Sequence, residues 1–175
     1  MDLIGFHWLD YLAFGRNVNP QEGEAILELG SGYPLHLIYS RKVGPCGRYI
    51  GFDNNKKITA TSNYLLEKIG LNDHIYHAAG DAFKLDCPKG LFDKIIAVNL
   101  WTREMLLPPK KDFYERVYDT LMEGGSYHEK FLDRDQDEGV YQVCRDLKSC
   151  GFHEVTRDIV SGGYPFLHWV LQAKK

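Results

Sequence analysis

The sequence predicts an α/β fold, a mostly parallel sheet with helices on both faces and an antiparallel last strand. Two observations carry this prediction. Near-continuous apolar runs of strand length alternate with segments of helical period, the pattern of a parallel sheet covered on both faces. The final two strand-like runs are separated only by Ser161-Gly162-Gly163-Tyr164-Pro165. A connection that short cannot cross over, so those two runs pair antiparallel.

Taken in order, Ile4, Trp8 and Leu12 share a helical face, with Asp2 as its cap and Gly15 as its stop. The strands follow at 25–29, 48–52, 75–79 and 94–98. Between the second and third, Ile58, Leu65, Leu66 and Ile69 fall on one helical face that Gly70 ends. A second stripe, Phe113, Val117, Tyr118 and Leu121, closes at Gly124-Gly125. A third, Val143, Cys144, Leu147 and Cys150, closes at Gly151. The antiparallel pair occupies 152–160 and 166–173. One domain over 1–175 is expected, with a helix and candidate lid in 1–20 and the core in 21–175.

Composition narrows the function classes. The 175 residues are 44% hydrophobic and 26% charged, the balance of a globular chain. A formal net charge of −3 gives no global positive field, which argues against general nucleic-acid binding. No apolar run approaches the roughly 20 residues of a membrane span, and the N-terminus lacks the basic flank of a secretory signal. Cys46, Cys87, Cys144 and Cys150 form no C-x-x-C pair. A reducing, cytoplasmic location is expected, with Cys87, Cys144 and Cys150 as small buried residues. The histidines and acids show no short metal-ligand spacing, so no metal is expected.

The chemistry concentrates after the first strand. It runs into Glu28-Leu29-Gly30-Ser31-Gly32-Tyr33-Pro34-Leu35, a glycine turn that lets a ligand approach the backbone. The second strand ends at Asp53-Asn54, 21 positions after Gly32, where an acid can accept hydrogen bonds from ribose hydroxyls. Local readings stay open beside these: Glu28 as an ion-pair partner, and Asp53 or Asp81 as caps. A dinucleotide fingerprint wants glycine where Leu35 stands, which disfavours an NAD-dependent oxidoreductase.

Glu28-Leu29-Gly30-Ser31-Gly32-Tyr33-Pro34 resembles the first motif, acid-x-G-x-G-x-G, of the class I S-adenosylmethionine-dependent methyltransferases, with Pro34 replacing the last glycine. Gly80-Asp81-Ala82, Phe92-Asp93-Lys94-Ile95-Ile96, Leu121-Met122-Glu123-Gly124-Gly125 and Cys150-Gly151-Phe152 resemble later motifs of that family in order. The resemblance implies a Rossmann-like, seven-stranded sheet and S-adenosyl-L-methionine as cofactor. It implies cofactor contacts from Glu28, Gly30, Ser31, Gly32, Asp53, Asn54, Asp81, Ala82 and Asn99. Asn99 is also the one catalytic candidate, since it resembles the start of the N-P-P-Y motif of amino-group methylases. A turn role for Asn99 remains open. Tyr11, Trp101 and His128 are substrate candidates, with a solvated strand end the other reading of His128. His36 follows the glycine turn and has a solvent-facing reading. The implied function is methyl transfer to an unidentified acceptor, small molecule or macromolecule. A methyltransferase-like binding module or partner subunit is the alternative, and a homo-oligomer or partner protein stays open.

Overall fold

The alternating segments pair into one seven-stranded sheet. The structure is a computed structural model that describes residues 14–32, 39, 41–98, 100, 111–133, 137–161 and 167–175. The strands are β1 (Ala25–Leu29), β2 (Arg48–Asp53), β3 (Ile75–Ala79), β4 (Phe92–Val98), β5 (Leu121–Asp133), β6 (His153–Ser161) and β7 (Leu167–Lys174), in the order β3-β2-β1-β4-β5-β7-β6. The first five run parallel, and β7 is antiparallel to both of its neighbours. The reversed last strand inferred from loop length is therefore present, and the reading is borne out.

Helices cover both faces. Lys111–Thr120 (α2) and Asp137–Ser149 (α3) bury Phe113, Val117, Val143 and Leu147 against Leu27, Ile95, Tyr127 and Leu171. On the opposite face, Ile26, Tyr49, Ile96 and Val170 meet Phe14, Val18, Tyr39, Val43 and Leu66, the last from α1 (Lys56–Lys68). Asn55 starts α1 by accepting from the amides of Lys57 and Ile58. Gly70, at φ +69°, ends it, with the Leu71 amide bonded back to the Leu66 carbonyl.

Three local expectations are corrected. Gly15 does not stop a helix, because residues 14–18 are helical and the turn out comes at Asn19, at φ +42° with its amide on the Gly15 carbonyl. Gly15 is there for space: a Cβ would lie 2.9 Å from Cε1 of the buried Tyr39 ring. The apolar stripe proposed for α1 is its inner face only in part: Leu66 is buried and Ile58 half-buried. Thr59, Ser62 and Leu66 point inward, while Leu65 and Ile69 are exposed. The physical reason is Asn63, whose side chain is turned toward β3, where it serves the backbone of His77. Finally, α2 stops at Thr120, and Leu121 already pairs with Phe92 as strand. The Gly124-Gly125 turn then lies inside β5, where the register against β4 shifts between Phe92 and Lys94. The residues Ile4, Trp8 and Leu12 lie outside the described residues.

Gly15→Val tests the contact with Tyr39. Overpacking a closed core costs about 1–3 kcal/mol, more than the few tenths to ~1 kcal/mol that removing a helical glycine returns. Denaturant unfolding should show a net loss of stability, and a gain would mean that Tyr39 has room to move.

Candidate functional site

The parallel register sets the carboxyl ends of β1, β2 and β3 side by side: Leu29 pairs with Phe52, and Asp53 with Ala79. The glycine turn leaves β1 at this rim with Gly30 at φ +72° and Gly32 at φ +35°. A Cβ on Gly30 would press on Leu100 at 3.1 Å, so glycine serves both conformation and space there.

The turn is tied to β2 by its own backbone. The amides of Gly30 and Ser31 donate to the Phe52 carbonyl at 2.7 and 3.3 Å, and the Gly32 amide donates to Asp53 Oδ2 at 3.2 Å. These three donors are already engaged within the chain. Asp53 Oδ1 accepts from the Asn55 amide at 2.8 Å, so one carboxylate joins the glycine turn to the start of α1. The cap of α1 is Asn55 rather than Asp53. Asn54 is exposed between them. Asp81 does cap a local turn: its side chain accepts from Phe83 at the head of the 3₁₀ turn Ala82–Lys84, with Lys84 3.6 Å away. Its carboxylate stands exposed beyond β3, with the Ala82 side chain buried behind it.

Beneath the turn lies a layer of buried polar groups. Glu28 is 1% exposed and accepts a hydrogen bond from the Tyr49 hydroxyl through Oε2. Among the described residues it has no ion-pair partner, and its Oε1 has no hydrogen-bond partner. Burial, more than the nearby Asp53 charge, pushes its pKa up to about 8, while the Tyr49 bond opposes the rise. Ser31 turns its hydroxyl inward, 3.0 Å from His77 Nδ1. Desolvation pulls the pKa of His77 down to about 4, partly offset by Asp53.

His128 departs from the solvated-end reading. It is 1% exposed in β5, in register with Ile96, and lies 2.9 Å from Ser126 Oγ and 3.2 Å from Asn17 Oδ1. Burial, with Lys94 adding to it, lowers its pKa to about 3, so the ring is neutral. Cys87, Cys144 and Cys150 are half-buried rather than buried, and desolvation raises each thiol. Tyr11, Pro34, His36, Asn99 and Trp101 lie outside the described residues.

Sequence reasoning missed Tyr49, Asn63 and His77. The available signal was Gly51, a glycine in mid-strand, which marks a close approach by something else. Here it is the imidazole of His77: a Cβ on Gly51 would lie 2.5 Å from His77 Cε1 and 2.8 Å from Ser31 Oγ.

Comparison with known proteins agrees with this architecture. No family model matches the chain. Over 117 residues it is 27% identical to the sterol 24-C-methyltransferase of Saccharomyces cerevisiae, covering 67% of this chain and 29% of that protein. The chain thus spans less than a third of the length of this curated relative. A S-adenosylmethionine-dependent methyltransferase from Aquifex aeolicus superposes with a TM-score of 0.73 at 19% identity, covering 99% of this chain and 98% of that one. A Haemonchus contortus phosphoethanolamine N-methyltransferase, solved with S-adenosylhomocysteine, gives 0.76 at 12% identity over 96% of this chain and 52% of the other.

The buried groups titrate with opposite signs. His77 and His128 stay neutral in the fold while unfolded histidine protonates near 6.5, so their contribution is full above that pH and is lost as pH falls toward 4. Glu28 ionises near 4.5 when unfolded but only near 8 when folded, so its contribution is full below 4.5 and is lost as pH rises through 8. Denaturant unfolding at pH 5 and pH 9 should show Glu28→Gln gaining on the wild type at the higher pH. An equal difference at both values would mean that Glu28 is ionised in the fold.

Proposed function

We propose that this chain, which has the fold of the class I S-adenosylmethionine-dependent methyltransferases, binds S-adenosyl-L-methionine across the carboxyl ends of β1, β2 and β3 and transfers its methyl group to an acceptor. The observation that carries the reading is Asp53, whose half-buried carboxylate sits at the mouth of a turn opened by Gly30 and Gly32. The residues fit the cofactor: two glycines bare the backbone of the turn at the rim, and acids stand on the three neighbouring strands or just beyond them.

In this reading Asp53 receives ribose hydroxyls, exchanging part of its bond to the Gly32 amide for them. Asp81 and Ala82 face the adenine, and Glu28 supports the turn from below. Asn54 and Asn99 complete the contacts. The cofactor supplies a methyl group on a sulfonium, which leaves behind a neutral thioether and calls for no strong acid. The work left to the chain is alignment and exclusion of water. Tyr11, Trp101 and His128 are assigned to the acceptor side. The sterol enzymes make sterols the first acceptors to assay. Four cysteines without a disulfide suit a reducing, cytoplasmic setting. No described helix is long and apolar enough to cross a membrane.

Titration calorimetry with S-adenosylhomocysteine, with NAD as the control, tests the assignment. The homocysteine compound should bind and NAD should not. Asp53→Ala should weaken binding by about 1–3 kcal/mol, the range for hydrogen bonds to a charged group. An unchanged affinity would take Asp53 out of the site.

A further inference from the structure

We propose that His77 is a positioning residue for the glycine turn, holding Ser31 from beneath so that the turn keeps the shape the cofactor meets. The inference rests on the cofactor reading above, and it adds a residue outside the glycine and acid motifs.

The geometry is specific. His77 lies on β3, one strand beyond β2, which itself separates β3 from β1. Its ring reaches the turn after β1 only by crossing over β2 at Gly51, its register partner. With any side chain at position 51 the ring and the Ser31 hydroxyl could not meet, since a Cβ there would lie within 2.8 Å of both. His77 is 3% and Ser31 2% exposed, so their 3.0 Å hydrogen bond is shielded from water. A buried hydroxyl that loses its partner bears the desolvation cost alone.

The strand that carries His77 is fixed in turn. β3 is the edge of the sheet, where every second residue turns its amide and carbonyl to the side that has no strand. At His77 that side is filled by Asn63 of α1: its amide nitrogen donates to the His77 carbonyl at 2.9 Å, and its oxygen accepts from the His77 amide at 2.7 Å. Asn63 thus replaces a missing strand at the one residue whose side chain must reach the turn. The same two bonds dock α1 on the edge of the sheet. With Asn63 turned to β3, Leu65 and Ile69 stay exposed.

The experiment pairs ligand affinity with the mobility of the empty turn. Affinity for S-adenosylhomocysteine is measured by calorimetry for wild type, His77→Leu, His77→Asn, Ser31→Ala and the Leu/Ala double variant. Amide exchange at Gly30, Ser31 and Gly32 is followed by NMR without ligand. His77→Leu and Ser31→Ala should each weaken binding about tenfold and speed exchange at the three amides. The double variant should be no weaker than the worse single one, because both remove the same bond. His77→Asn, which keeps a hydrogen-bonding atom near the Nδ1 position, should recover most of the affinity. Gly51→Ala displaces the ring without removing it and should resemble His77→Leu; it carries the comparison if the leucine variant does not fold. Unchanged affinity and exchange, additive losses in the double variant, or a loss of melting temperature alone would each overturn the proposal. A wild type that binds no S-adenosylhomocysteine would overturn the cofactor reading instead, and the exchange rates would still decide whether His77 holds the turn.

Discussion

The turn after β1 is held by β2, and most of the site follows from that one attachment. Three consecutive amides, those of Gly30, Ser31 and Gly32, all bond to two consecutive residues of the neighbouring strand, Phe52 and Asp53. A glycine-rich segment loses more conformational freedom on folding than any other, so it stays in place only if its backbone is over-determined. Parallel pairing makes this possible. Because β1 and β2 run the same way, the chain leaving β1 emerges beside the last carbonyl and the last side chain of β2. An antiparallel neighbour would have offered its amino end there, and Asp53 would have stood at the far side of the sheet.

The same attachment explains why polar groups are buried under the rim. Pulling the turn down onto β2 brings Ser31 into the interior, and a buried hydroxyl needs a partner. His77 provides it, Gly51 makes the room, and Asn63 holds the strand. Glu28 and Tyr49 form a second pair at the same depth, one on β1 and one on β2. These groups oppose one another electrically: burial favours the uncharged form of both the imidazole and the carboxyl. The layer is therefore close to neutral at moderate pH, although it contains an acid and a base.

What could be read from the sequence was whatever depended on local order. β1 and β3 match their apolar runs residue for residue, and the reversed β7 followed from a loop too short to cross over. Glycine and acid were legible because the rim gathers at strand ends, where motif and structure share one address. His77, Asn63 and Tyr49 were not, since each works through a partner 14 to 46 positions away. Asn63 also shows why Leu65 and Ile69, unlike Leu66, fall outside the inner face of α1. Helical periodicity ranks faces by apolar content, but an edge strand's backbone required an amide more than it required Leu65 or Ile69.

Carboxyls gather at one part of the rim. On the β1–β3 side stand Glu28, Asp53 and Asp81, three carboxyls on or just beyond three neighbouring strands. On β5, His128 is buried in mid-strand, neutral and bonded to Ser126 and Asn17, and Glu129 and Lys130 lie buried next to it. A ligand that carries positive charge is favoured over the acidic side, and its presence would draw Glu28 toward the ionised form. Glu28 is suited to this because its pKa stands near 8, within reach of a neighbouring cation, and because its Oε1 has no hydrogen-bond partner among the described residues. The acid that looks least like a ligand contact, being the most deeply buried of the three, is thus the one whose charge state a cationic ligand would change most.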